Sequence, residues 1–147
     1  MRFGIFYEHQ LPKPWNEGDE ARLFHDALEQ VVLADRLGFD YAWEVEHHFL
    51  EEYSHSSAPE VFLAACAALT KTIRVGHGIR QVIPNYNHPA RTAAGLATLD
   101  IISRGRLDFG IGAGAPRLAL GGFGIPAQET RALALVAAEP VASTLCM

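Results

Sequence analysis

The chain has 147 residues, 49% hydrophobic and 20% charged, which suits one globular domain with a real core and argues against disorder. Twelve Lys and Arg against 17 Asp and Glu give a net charge of −5, with no basic run, so nucleic acid and anionic membrane are not expected partners. No apolar stretch nears the roughly 18 residues of a membrane span, and MRFGIFYEHQ lacks the pattern of a secretory signal, so a reducing cytoplasm is the expected compartment.

Phe3 to Tyr7 is apolar and aromatic and reads as a first strand. A Pro-rich loop (residues 11–15) leads to a helix from about Asp19, where Leu23, Ala27, Val31, Ala34 and Leu37 share a face and Gly38 closes the end. Tyr41 to Val45 forms the second strand. Ser57-Ala58-Pro59-Glu60 has the capping-box pattern, with Pro in the first turn, and opens a helix to about Leu69. In it Cys66 lies in an Ala-rich run and is expected to be buried and inert. The other cysteine, Cys146, stands too far off for metal-ligand spacing. A third strand covers Ile73 to Ile79 and extends toward Ile83. Pro89 starts a third helix reaching about Ile102, with Gly105 beyond. Leu107, Phe109 and Ile111 alternate in a fourth strand. LGGFGIP at 120–126 reads as a loop, and Gln128 to Glu139 as a fourth helix that Pro140 is expected to stop. Four βα units predict an α/β fold with a parallel sheet. Two architectures fit: an open doubly wound sheet, or a TIM (β/α)8 barrel of which about the first four units are present, since a full barrel takes eight units and roughly 250 residues.

In both, ligands bind at the C-terminal ends of the strands. WEVEHHF places Glu46, His47 and His48 at the end of the second strand; Glu8 and His9 follow the first, and His77 lies in the third. Three readings stand side by side. Imidazoles and carboxylates are zinc ligands. One histidine with a reference pKa of about 6.5 suits proton transfer. A polar turn with packed histidines has no chemistry at all. Adjacent strand residues point to opposite faces, which separates His47 from His48, and neither HxH nor HExxH occurs. FGIGAGAP at 109–116 has the wrong glycine spacing for a dinucleotide fingerprint. Its glycines allow close approach of a planar or phosphorylated ligand, or form a loop needing positive φ.

EHHF at 46–49, VGHGIRQVIPNYNHPAR at 75–91 and LDIISRGRLDFGIG at 99–112, in this order and spacing, resemble the N-terminal half of the bacterial luciferase-like flavin monooxygenases, over roughly residues 1–135. The resemblance implies a single partial TIM-barrel domain over residues 1–147. It implies reduced FMN at the strand ends, reacting with O2 to a peroxyflavin that oxidises an aldehyde-like substrate, with a separate flavin reductase. Some relatives use F420. By the same resemblance His47 is the acid–base residue, Glu46 and His48 shape the cofactor pocket, and Gly112 lies near the flavin. His77, Gly78 and Ile79 would face the ring, with a cis peptide at Gly78–Ile79 or a neighbouring bond. No metal is implied. Phe6, Trp43 and Phe49 would shield the site or serve as core. Ala113 stands where relatives often carry an Arg to the flavin phosphate, and the family's later strands have no counterpart here. The first and fourth strands would then be open edges, so two copies closing on each other, a homo-oligomer, is one expectation. A non-catalytic flavin-binding or interaction remnant is the second reading, and a metal hydrolase built on His47 or His48 the third.

Overall fold

The structure is a computed structural model that describes residues 1–112 and 116–145. Four strands, β1 (Gly4–Tyr7), β2 (Tyr41–Val45), β3 (Arg74–Gln81) and β4 (Leu107–Gly112), alternate with α1 (Asp19–Leu37), α2 (Pro59–Leu69) and α3 (Pro89–Ser103). A short α4 (Arg117–Gly122) and α5 (Thr130–Leu145) follow. All strand pairs are parallel, in the order β1-β2-β3-β4. A doubly wound sheet reverses its strand order at a switch point, and this one does not. The barrel architecture is the one formed, as four consecutive βα units with β1 and β4 at the edges.

The sheet has two unlike faces. Tyr7, Glu44, His77 and Phe109 line up in register on one, and Phe6, Trp43, Gly76 and Asp108 on the other. The first is covered by helices: Ile5, Tyr7, Ala42 and Val75 pack with Ala27, Val31 and Ala34 of α1 and with Phe62, Leu63 and Cys66 of α2. The other, which would line a barrel's interior, lies open, with Phe6 56% exposed. Arg74 and Asp108 pair across it at 2.6 Å, and Tyr41 stacks on Trp43.

Local chemistry explains most boundaries. Gly38 ends α1 at φ 80°, its N–H reaching back to the carbonyls of Ala34 and Asp35. His88 precedes Pro89 as the N-cap of α3, its ring accepting from the Ala90 N–H. Cys66 is wholly buried, and burial pushes its thiol up to about 12, far from the reactive thiolate range.

Five expectations are corrected. The capping box at Ser57 does not form: Ala58 is the N-cap, without a side-chain cap, and Glu60 turns instead to Arg80 at 2.5 Å. β3 stops at Gln81, because Val82 and Ile83 leave the sheet to join a second core with Leu120, Ile125, Ala134 and Ala137. Part of the expected 120–126 loop is the end of α4, and α5 runs through Pro140. A mid-helix Pro costs about 3 kcal/mol. Here the buried stripe Ala134, Ala137 and Val141 holds the helix together on both sides of it, with α5 packed on α3. Finally, no cis bond occurs at Gly78–Ile79; within the described residues the cis peptide is Lys13–Pro14. β3 accommodates its glycine segment by register shifts against β2 and β4 instead. Ala113, Gly114 and Cys146 lie outside the described residues. No described helix is long and apolar enough to cross a membrane.

Candidate active site

The chain leaves β2 at Val45 and is pinned at once. The His47 N–H donates to the Ser56 carbonyl at 2.8 Å, while the Ser56 hydroxyl lies 2.7 Å from Glu44 Oε1 and 2.6 Å from the Val45 carbonyl. Phe49, at φ 60°, turns the chain beyond. Held this way, the two imidazoles diverge. His47 points toward the end of β1, its Nε2 3.3 Å from Glu8 Oε2, with its ring edge-on to Tyr53. The Tyr53 hydroxyl donates to the other Glu8 oxygen at 3.5 Å. His48 points the other way, its Nε2 2.9 Å from Glu46 Oε1 and its ring against Phe49, Tyr86 and Phe123. The pair therefore does not converge on one ion, and among the described residues no three His, Cys, Asp or Glu side chains form a metal-binding group.

Glu46 is the node of a buried network. Its carboxylate accepts from the Gln81 N–H at 3.0 Å, Asn87 Nδ2 at 2.9 Å and His48, and Arg80 Nη1 lies 3.4 Å away. Burial opposes its charge, but the His48 hydrogen bond, the Arg80 charge, Asn87 and the Gln81 N–H outweigh burial and hold the carboxyl below its ordinary value. Arg80 is itself held, by Glu60 at 2.5 Å and Asn87 at 2.9 Å. The network fixes the end of β2 to the end of β3.

His77 lies on the helix-packed face, 1% exposed and edge-on to Phe109. Burial, with the Arg80 charge second, lowers it to about 4, so it stays neutral. Within the segment expected to face the cofactor, His77 therefore turns away. Gly78 lies beside Phe6 of the open face, where an added Cβ would sit 3.1 Å from the ring. Ile79 covers Gly112, whose Cβ would meet Ile79 Cγ2 at 2.5 Å. Gly110 is tighter still: a Cβ there would lie 2.7 Å from the carbonyl oxygens of both His77 and Gly78. Reading the sequence singled out His47, Glu46 and His48. It missed Tyr53, Arg80 and Asn87 as partners, although Arg80 and Asn87 stand inside the 75–91 stretch and Tyr53 lies four residues past Phe49, and it noted Glu8 without giving it a role.

These residues suit the ring of a planar heterocyclic cofactor. Gly78 leaves bare backbone beside the exposed apolar side chains of Phe6 and Ile79. At the polar edge of this patch, His47 Nδ1 is a buried atom without a hydrogen-bond partner, and Glu8 Oε2, also buried, has only the 3.3 Å contact with His47 Nε2, outside hydrogen-bond geometry. Arg80, committed to Glu46, Glu60 and Asn87, is not free to hold a phosphate.

Polar groups gathered at the C-terminal ends of parallel strands, above a helix-backed sheet in sequential order, are the arrangement of the (β/α)-barrel fold, in which ligands bind at that end. Residues 1–135 match the family model for luciferase-like monooxygenase, and the chain belongs to that family. It is 42% identical over 103 residues to limonene 1,2-monooxygenase of Rhodococcus erythropolis, covering 69% of this chain and 26% of that protein. It is 36% identical over 117 residues to the oxygenase component of the flavin-dependent trigonelline monooxygenase of Acinetobacter baylyi, covering 78% and 31%. The chain thus spans about a third or less of the length of these relatives. Among solved structures, monooxygenase RslO1 from Streptomyces bottropensis superposes with a TM-score of 0.84 at 38% identity, over 96% of this chain and 42% of that one. Two more share the fold below 25% identity. The oxygenating constituent of 3,6-diketocamphane monooxygenase from Pseudomonas putida, solved with FMN, gives a TM-score of 0.85 at 24% identity over 96% of this chain and 38% of its own. An F420-dependent secondary alcohol dehydrogenase, solved with an F420–acetone adduct, gives 0.74 at 23% identity over 95% and 40%.

Proposed function

We propose that this chain forms the β1–β4 part of a flavin-dependent monooxygenase site in which His47 is the acid–base residue and Glu8 positions it. The observation that carries this reading is the Glu8–His47 contact, 3.3 Å at the strand ends, beside the open face of the sheet. A carboxylate beside Nε2 favours the tautomer with the proton on that nitrogen and leaves Nδ1 to take or give a proton at the reacting centre. Gly78 and Ile79 would lie against the cofactor ring, with Gly112 near it behind Ile79. Glu46 and His48 hold the pocket wall formed by Phe49, Tyr86 and Phe123, and Phe6, Trp43 and Phe49 keep water from the reacting atoms. When bound, reduced flavin supplies the electrons with which O2 gives one oxygen atom to an organic, aldehyde-like substrate. Reduced FMN is the cofactor of this reading, supported by the FMN complex of a structural neighbour, with F420 the competitor. A separate reductase is part of it, supported by the relative described as an oxygenase component. The cytoplasm, where reduced flavin is made, is the compartment it implies.

The test is anaerobic titration of the 147-residue chain with reduced FMN, and in parallel with reduced F420, followed by quenching of Trp15 and Trp43 fluorescence. Saturable micromolar binding of FMN, weakened by Gly78→Leu, supports the site. A folded chain that binds neither cofactor favours the second reading, a flavin-enzyme remnant, to which the open face of the sheet lends weight.

A further inference from the structure

The two edges of the sheet are complementary to each other. β1 is GIFY and pairs with β2 alone; β4 is LDFGIG and, among the described residues, pairs with β3 alone. Soluble proteins commonly blunt an exposed edge with Pro or Lys, and neither strand carries one. The single charge on them, Asp108, is tied to Arg74 at 2.6 Å. On the helix-packed side a groove of about 340 Å³ lies between β1 and α1, lined by Tyr7, Leu23, Ala27 and Gln30. No β2 residue lines it, so it opens on the free side of β1. On β4, Ile111 has the parity of Leu107 and Phe109, which pack beneath the helices, yet it is 48% exposed. One edge thus carries an apolar knob and the other a groove in the same layer. On the open face the relation is reversed. There Phe6 stands out from β1, while β4 has glycine at 110 and 112.

Two copies can meet at these edges in different ways. β1 on β1, or β4 on β4, runs antiparallel about a two-fold axis, widens the sheet and leaves the apolar open face in water. β1 of each copy on β4 of the other is parallel, like every pair within the chain, and joins four strands to four. Eight parallel strands close a barrel whose interior side chains fill, and the two open faces then cover each other. We propose that two copies of this chain close into one such barrel, with Ile111 of each copy seated in the β1–α1 groove of the other. The barrel has a single mouth, to which each copy brings its own Glu8, His47 and Gly78, so the site is incomplete without the second copy. That mouth takes one flavin for two chains. The flavin count rests on the reading given under Proposed function; the closure does not.

The test uses the 147-residue chain. Sedimentation equilibrium should give a dimer, and hydrogen exchange at the amides of both β1 and β4 should slow by about tenfold or more between dilute and concentrated samples. Ile111→Lys should raise the dimer Kd at least about tenfold. Val61→Lys, on the outer side of α2 where Val61 is 67% exposed, should leave it unchanged. If Ile111→Lys fails to fold, exchange on the parent chain decides the matter. A monomer at all concentrations, oligomers beyond the dimer, protection at one edge alone, or a dimer that survives Ile111→Lys but not Val61→Lys would overturn the proposal. Reduced FMN is then titrated into the dimer. One FMN per two chains is expected, and one per chain would overturn the shared mouth. A dimer with both edges protected that binds no reduced FMN supports the closed barrel and removes the flavin reading instead.

Discussion

Glu8 contributes one oxygen to His47 and the other to the Tyr53 hydroxyl, so a single carboxylate orders both rings. In a flavin-loaded, active form, His47→Ala is expected to lower turnover by roughly 10²- to 10⁴-fold. Glu8→Gln should lower it less and distort the pH–rate profile, because the tautomer is then unfixed. Product formation across a pH series, with reductase in excess, measures both. His77 makes a different prediction. Its folded pKa of about 4 lies below the unfolded value near 6.5, so the unfolded chain takes up a proton that the folded one refuses. Stability is full above pH 6.5 and falls as the pH drops toward 4, by up to about 3 kcal/mol. Urea unfolding between pH 7 and 4 should show this slope, and His77→Phe should flatten it. An unchanged slope would mean that other groups carry the acid sensitivity.

Asp35, on α1, ties that helix to the turn before β3. Its carboxylate accepts from the N–H groups of Lys71, Thr72 and Ile73 and from the Thr72 hydroxyl, all within 2.9 Å. Burial opposes the charge, yet these bonds, led by that of Thr72, lower the pKa to about 2. The stabilisation is present above the ordinary pKa of about 3.8 and is lost as the pH falls toward 2. Asp35→Ala should therefore cost about 2 kcal/mol at pH 7, a difference from the parent that shrinks between pH 4 and 2 in denaturant titrations. In β4, Gly110→Ala would drive a methyl into two β3 carbonyls, and a loss of about 1–3 kcal/mol is expected from the same measurement. These elements also show what reading the sequence can reach. The bounds of α1, the Pro89 start of α3 and the strand β2 follow from local signals, namely apolar spacing, a Gly cap and a Pro at the first turn. The run of α5 through Pro140 and the pairing of Glu60 with Arg80 depend on partners more than 15 residues away, which no local pattern announces. The site divides likewise. His47 and Glu46 are visible because they are clustered. The turning of His77 toward the helices hangs on strand parity, which the register shifts in β3 obscure.

At the scale of the molecule, the edge strands β1 and β4 and the open face with Phe6 and Trp43 have no cover within the described residues. The isolated chain is expected to self-associate with rising concentration, and Phe6→Glu on that face should shift it toward monomer in sedimentation velocity. A chain that stays monomeric at all concentrations would show that its open sheet tolerates water. The strand order has a further consequence, for synthesis. Gly4 pairs with Tyr41, Tyr41 with Arg74, and Val75 with Leu107, so each strand meets the one made just before it and never waits for one made much later. Only modest loops have to close at each step. A chain emerging from the ribosome can therefore lay down this sheet one βα unit at a time, with each finished unit the template for the next.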